Sequence, residues 1–284
     1  MTVVNLSPLD CSIDYLIIGN ITRDVCGETF SLGGTASYSA IMAAAFGLKV
    51  GVVSAINPCL DVSFLEDKGI CIFKQHSDRL IEFENIYTDN GRIQYLKSRC
   101  STLRFDSIPN HWLSAPIVHI GPLINDVDQS IVHQLTNTFV GVTLQGWLRQ
   151  FDDKGRVFRS DFSDRLSDLS EVDVVVLSIE DVEGDWDYID KLVEIVHMLI
   201  VTEAENGVTI YEGSSKFSFA APKMHLVDST GAGDVFASAF FILYNYTNNV
   251  NLASKLAIQL ASKSVTGQGL KSVPSIVDED LISI

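Results

Sequence analysis

Apolar positions in this chain fall into short continuous runs, and segments of helical spacing lie between them. YLIIGN, residues 15–20, is one such run closed by Gly-Asn, which predicts a buried strand meeting a turn. Residues 21–32 are polar and mixed. Gly33 and Gly34 then precede TASYSAIMAAAFG, a proline-free stretch of small residues that predicts a helix ending at Gly47. KVGVVSAI, residues 49–56, reads as a second strand, so the chain opens as a strand–helix–strand unit. Residues 70–100 break the rhythm. CIFKQH, LIEFENIYT and RIQYLKS carry β-branched and aromatic residues around Asp89-Asn90-Gly91, a strong hairpin signal. They predict part of a small antiparallel sheet outside the main layer.

The alternation then resumes. PIVHIGPL contains a strand that stops at Gly121-Pro122, residues 128–139 predict a helix, and VGVTLQG predicts another strand. VDVVVLSIED, residues 172–181, is the clearest buried strand and has an acidic end. WDYIDKLVEIVHM predicts a helix, HMLIVTEA a strand, and GVTIYEG with SKFSFAAP a further hairpin. A long helix is expected from about 233 to 246, followed by a second over NLASKLAIQLASKSVTG. The fold class is therefore α/β, with a mostly parallel central sheet covered by helices on both faces, and ligands belong beyond the carboxyl ends of its strands.

Composition narrows the function. With 284 residues and 46% apolar residues the chain can bury a substantial core. A formal net charge of −16 argues against nucleic acid or an anionic membrane as the main partner, but not against a bound nucleotide, which needs only local N–H groups and a cation. The 5 cysteines, Cys11, Cys26, Cys59, Cys71 and Cys100, are scattered and odd in number, as expected of reduced thiols in a cytoplasmic protein. No apolar run is long enough to cross a bilayer. The histidines show no metal-ligand spacing.

The densest chemistry lies in DSTGAGD, residues 228–234, which runs into the apolar helix VFASAFFILYNY. Gly231, Ala232 and Gly233 let the backbone turn tightly and approach a ligand. The first helical N–H groups lack intrahelical partners, and the helix dipole favours negative charge there. Asp234 stands where a carboxylate could take the proton of an alcohol attacking phosphorus. The competing reading is an ordinary helix cap by Ser229, Thr230 or Asp234. Asp228 either positions the loop or holds water near a cation.

DSTGAGDVFASAF resembles the signature of the ribokinase-like carbohydrate kinases, also called the phosphofructokinase-B-type family, usually D-T-x-G-A-G-D before an apolar helix. GNITRDV and SLGGTASYSAIMAAAFGLKVGVVSAI resemble the family's first strand, Gly-Gly segment, helix and second strand. The likeness covers most of the chain in order. It implies ATP-dependent phosphorylation of a hydroxyl on a sugar, nucleoside or cyclic polyol. Gly231, Ala232 and Gly233 would be the anion hole and Asp234 the base. Asp24, Gly33, Gly34 and Tyr38 would meet the acceptor substrate. Thr202, Gly207, Arg149 and Asp228 would lie on the nucleotide side, and Asp181 would bear on Mg2+. It further implies one kinase domain over 1–284, with 21–32 and 70–100 forming an inserted β lid through which a homodimer can pair.

Several positions depart from the family pattern. Tyr38 stands where asparagine is common. Ser178 and Asp181 replace the ends of N-x-x-E, only Arg149 remains of D-x-N-x-R, Ala204 replaces a glycine after Thr202, and the usual G-x-D is absent from AINPCLD. These departures keep a second reading open, a non-catalytic nucleotide- or sugar-binding regulatory protein that retained the fold. A dinucleotide oxidoreductase is disfavoured because GNITRD is not G-x-G-x-x-G. A loose likeness to the inositol-kinase branch makes a cyclic polyol one acceptor to test.

Overall fold

The structure, a computed structural model, describes residues 12–26, 29–88 and 91–275. In chain order the elements are β1 (Tyr15–Gly19), β2 (Thr22–Cys26), β3 (Thr29–Gly33), α1 (Thr35–Ala45), β4 (Val50–Ile56), α2 (Ser63–Glu66), β5 (Cys71–His76), β6 (Ile81–Thr88) and β7 (Gly91–Ser98). There follow β8 (Ile117–Gly121), β9 (Phe139–Thr143), β10 (Arg149–Phe151), β11 (Val157–Arg159), β12 (Val174–Ser178) and α3 (Trp186–Val193). The chain continues through β13 (Met198–Thr202), β14 (Val208–Glu212), β15 (Ser215–Phe219), α4 (Ala232–Thr247) and α5 (Val250–Ser264).

Nine strands form the central sheet in the order β15-β14-β13-β12-β9-β8-β1-β4-β5. From β5 to β13 every neighbouring pair is parallel, and the β13–β14–β15 end is antiparallel. Period-two alternation sends Leu16 and Ile18 to one apolar layer and Tyr15 and Ile17 to the other. The second layer is roofed by α1, α4 and α5, and α3 packs on the first. The small residues of α1 allow burial all round, and every side chain of residues 35–43 is buried. Strand order reverses at β1, which lies between β8 and β4, and a ligand crevice is expected beyond the carboxyl ends at such a switch point. The α/β fold expected from the sequence is thus the one observed.

A second, four-stranded sheet has the order β3-β2-β6-β7. Its β2–β3 and β6–β7 pairs are antiparallel and the joining β2–β6 pair is parallel. Residues 89–90 of the expected hairpin turn lie outside the described residues. Two expectations need correction. CIFKQH does not join the small sheet: β5 is the edge strand of the central one, parallel to β4. As an edge it buries Ile72 and leaves its neighbours partly exposed, so its pattern imitates a hairpin strand. Residues 128–139 form only a 3-10 segment, Gln129–Gln134, started by Asp128 accepting from Ser130 N (2.9 Å). Asn137, in the left-handed region at φ 59°, turns the chain before β9.

Candidate active site

Helix α4 opens at Gly231, whose φ of 79° lies where glycine alone is unstrained, and no side chain caps the helix end. The ring of Tyr38 packs so closely against Gly231 that a Cβ there would collide with it. Ala232 N bonds Ser229 O (3.2 Å) and Val235 N bonds Gly231 O (2.9 Å), while the amides of Gly233 and Asp234 find no acceptor among the described residues. A Cβ placed on Gly233 would meet nothing within 4 Å. Two amides and open space at the mouth of a 16-residue helix fit an anion. Ser229 and Thr230 make no cap, so the capping alternative is left without its side-chain bond.

Asp234 follows in the first turn. It is partly exposed, yet the surrounding protein desolvates its carboxyl and raises its pKa to about 6. A hydrogen bond from Thr35 and the charge of Arg149 pull the other way, and Asp181 and Asp24 add to the rise. Thr35 begins α1, so α1 and α4, which pack together, converge on the same carboxylate. Nothing in TASY beyond a polar residue at a helix mouth marked Thr35 in advance. Beneath α4, His119 of β8 lies between the Tyr15 hydroxyl (3.1 Å) and Thr143 Oγ1 (3.2 Å), against the Phe241 ring. Burial holds its pKa down to about 3, so it is a neutral core histidine.

Asp24 lies on β2, where Thr22 Oγ1 donates to its Oδ1 (3.2 Å), and its carboxylate crosses the face of Gly33. Gly34 precedes α1 as its N-cap. Asp24, Tyr38, Thr230 and Asp228 line one cleft of ≈ 670 Å³, together with Asn85 of β6, Phe64 of α2, and Leu270 and Lys271 near the carboxyl end. Both oxygens of Asp228 accept backbone N–H groups, from Thr230 (2.9 Å) and from Gly269 (3.2 Å), so this carboxylate ties the loop to the 3-10 turn Gly269–Ser272.

Arg149 begins β10, largely buried, with Nη2 3.8 Å from Asp181 Oδ1 and Nη1 donating to Gln94 Oε1 (3.3 Å). Asp181 belongs to a capping box in which its Oδ2 accepts from Ser178 N (2.9 Å), and its Oδ1 also accepts from Gln145 Nε2 (2.9 Å). Each oxygen of Asp181 thus accepts one hydrogen bond, with a guanidinium close by, and keeps a second lone pair. No group of three or more His, Cys, Asp or Glu among the described residues could by itself hold a metal.

Thr202 ends β13 beside Ser178 and donates to Leu177 O (3.5 Å). Gly207 lies so close to Phe219 O that any Cβ would clash, so its local role is to let β15 pass. Neither lines the cleft that holds Asp24 and Tyr38. Ala204, where the family pattern has a glycine, takes a left-handed backbone with φ 50°. That conformation costs an L-residue roughly 1–2 kcal/mol, less whatever glycine loses in chain entropy. Ala204→Gly is therefore expected to raise the urea midpoint modestly, and a fall would place the strain elsewhere.

Comparison with known proteins agrees with this architecture. Residues 167–276, from the segment before β12 onward, match the model of the pfkB family carbohydrate kinases. Over 270 residues the chain is 24% identical to the cytidine kinase of Thermococcus kodakarensis, covering 88% of this chain and 95% of that protein. A 79-residue stretch is 37% identical to the deoxyribokinase of Salmonella typhi, covering 28% and 26% of the two chains. A pyrophosphate-dependent kinase in the ribokinase family, solved with a pyrophosphate analog and myo-inositol, superposes with a TM-score of 0.79 at 21% identity, covering 91% of this chain and 98% of that one. Arabidopsis thaliana ribokinase, solved with ribose and ATP, superposes at 0.69 with 14% identity, over 93% and 96%. The resemblance to the ribokinase-like carbohydrate kinases is borne out, and the fold is theirs. No helix among the described residues is long and apolar enough to cross a membrane.

Proposed function

We propose that this protein is a cytoplasmic kinase that transfers the γ-phosphoryl group of ATP to a hydroxyl of a nucleoside, sugar or cyclic polyol. The observation that carries the proposal is Asp234 itself, a carboxylate of raised pKa standing beside two amides that lack acceptors at the mouth of α4. Asp234 takes the hydroxyl proton as the new O–P bond forms and the donor's O–P bond breaks, its electron pair leaving with ADP. The amides around Gly231, Ala232 and Gly233 neutralise charge on the moving group, and Arg149 adds a cation. Asp24 accepts hydrogen bonds from acceptor hydroxyls. Thr202, Gly207 and Asp228 belong to the donor side of this scheme, Gly33, Gly34 and Tyr38 to the acceptor side. Mg2+ would neutralise donor phosphates, with Asp181 holding it through ordered water by the lone pairs its two hydrogen bonds leave over.

The cleft wall combines Phe64, Leu32 and Leu270 with Asp24 and Asn85, which suits a ring with one apolar face and several hydroxyls. Cytidine is the first acceptor to test, given the extended match to a cytidine kinase. Pyrophosphate is the second donor to test, because a similar solved structure is a pyrophosphate-dependent kinase. The small sheet would act as the lid that excludes water. Phe30 and Ile86 are exposed on it, at 57% and 43%, which favours pairing of two copies through that face.

The test is product formation from cytidine, ribose, 2-deoxyribose and myo-inositol with either donor. Nucleotide binding without turnover on any acceptor would favour the non-catalytic reading. Gly233→Ala makes a sharper prediction. The new methyl enters open space, so stability should be unchanged, but it occupies the anion's place. Turnover should fall by about 10-fold to 1,000-fold, as for loss of an oxyanion-type donor, and wild-type rates in this variant would move the anion elsewhere.

A further inference from the structure

Gln94 bonds both to the wall of the acceptor cleft and to the cation beside Asp234. On β7 it stands directly opposite Asn85 of β6, and Asn85 lines the cleft. Gln94 Nε2 donates to Asn85 Oδ1 (3.0 Å), and Gln94 Oε1 accepts from Arg149 Nη1 (3.3 Å). The polarity of this chain is forced. A guanidinium can only donate, so Gln94 must turn its oxygen to Arg149 and its NH2 to Asn85. Asn85 must then answer with its oxygen, which leaves its own NH2 for a ligand.

The surrounding backbone makes the same connection. The β10–β11 ribbon that begins with Arg149 reaches the small sheet at its other end, where Leu96 N bonds Gly155 O (2.7 Å) and Tyr95 bridges Arg156. Its root is fixed to the central unit. Arg159, opposite Arg149, donates to Val182 O (2.9 Å) and Asp185 Oδ2 (3.0 Å). Asn125 Nδ2 donates to Arg149 O (2.7 Å). The ribbon is a strap between the small sheet and the segment that carries Asp181.

We infer that Gln94 is a positioning residue that holds Arg149 at the phosphoryl-transfer centre and, through the same amide, sets Asn85 as a hydrogen-bond donor to the acceptor substrate. The inference rests on the proposed kinase reading. It makes acceptor recognition and cation placement two ends of one relay. It also specifies the acceptor chemically: an oxygen or ring nitrogen with a free lone pair must face Asn85. The charged and polar groups facing Asp234 are Thr35 of α1, Arg149 of β10, Asp181 after β12 and Asp24 of β2, with the buried Tyr15 hydroxyl of β1 near enough to feel its charge. Only Arg149 among them is a cation, so its placement should register in the titration of Asp234.

Two substitutions separate the ends of the relay. Gln94→Leu cuts both bonds. Gln94→Glu keeps an acceptor for Arg149 but forces Asn85 to turn its NH2 inward and its oxygen to the cleft. The β6–β7 ladder is made by the main chain, so both variants should fold. With cytidine and ATP, Gln94→Leu is expected to lose about 10-fold or more in kcat, in line with a misplaced positioning group. Gln94→Glu is expected to lose less in kcat and to place most of its cost in the KM for cytidine. The carboxyl of Asp234, followed by carbon-13 NMR in the resting protein, should titrate higher in Gln94→Leu than in wild type. Gln94→Leu with unchanged kcat, or with an unchanged Asp234 titration, would overturn the relay. Absence of wild-type turnover on cytidine, ribose, 2-deoxyribose and myo-inositol with ATP and with pyrophosphate would instead defeat the kinase reading, and the titration would still decide whether Gln94 places Arg149.

Discussion

Asp234→Asn should abolish most turnover while leaving the protein at least as stable as the wild type. Loss of a general base costs about 100-fold to 10,000-fold, and the asparagine keeps an oxygen for the bond from Thr35. The stability expectation follows from linkage. The folded-state pKa of Asp234 is raised from 3.8 to about 6, so the folded protein favours the protonated, neutral form. Burying the charge therefore destabilises the fold fully above pH 6, and the penalty fades as pH falls toward 4. Neutral asparagine removes it, a gain of at most roughly 3 kcal/mol at pH 7 by the usual conversion of a pKa shift, shrinking at lower pH. In wild type, kcat/KM should rise with pH through about 6 as the base ionises. Thermal melts and pH–rate profiles of the two proteins check both statements. An asparagine variant with native activity, or one destabilised at pH 7, contradicts them.

Gly231→Ala should have the largest effect on folding stability. The added Cβ meets a left-handed backbone, φ 79°, and the ring of Tyr38, which is only 3% exposed. The conformational cost is about 1–2 kcal/mol and overpacking adds about 1–3 kcal/mol. The loop would shift, taking the Gly233 and Asp234 amides out of line, so turnover should fall with stability. Gly233→Ala, two residues along, is expected to lose turnover alone. Urea unfolding of the pair separates the roles of the two glycines. Equal midpoints would mean that the loop is not braced by Tyr38.

The contrast shows what the sequence could disclose. Apolar runs and helical spacing located β1, β4, β8, β9, β12 and β13 with α1, α3, α4 and α5, because burial on two faces leaves an unmistakable pattern. DSTGAGD pointed to a helix mouth, and the structure places Asp234 there with Thr35 donating to it. Tyr38, expected on the acceptor side where asparagine is common, also braces Gly231 with its ring. Ala204 looked like the loss of a glycine, yet its backbone is left-handed. What stayed hidden depended on neighbours distant in sequence. β5 resembled a hairpin strand because an edge strand buries one face only. No local pattern could announce that Gln94 meets Arg149, 55 residues away.

The central claim is that the α4 mouth passes a phosphoryl group to an alcohol. Phosphorus-31 NMR of the wild type and Asp234→Asn, each with cytidine, ribose, 2-deoxyribose or myo-inositol and with ATP or pyrophosphate, tests it most directly. A new phosphate monoester is expected from at least one acceptor in the wild type, nearly gone in a folded Asp234→Asn. A monoester formed equally well by both proteins, or by neither, would contradict the claim.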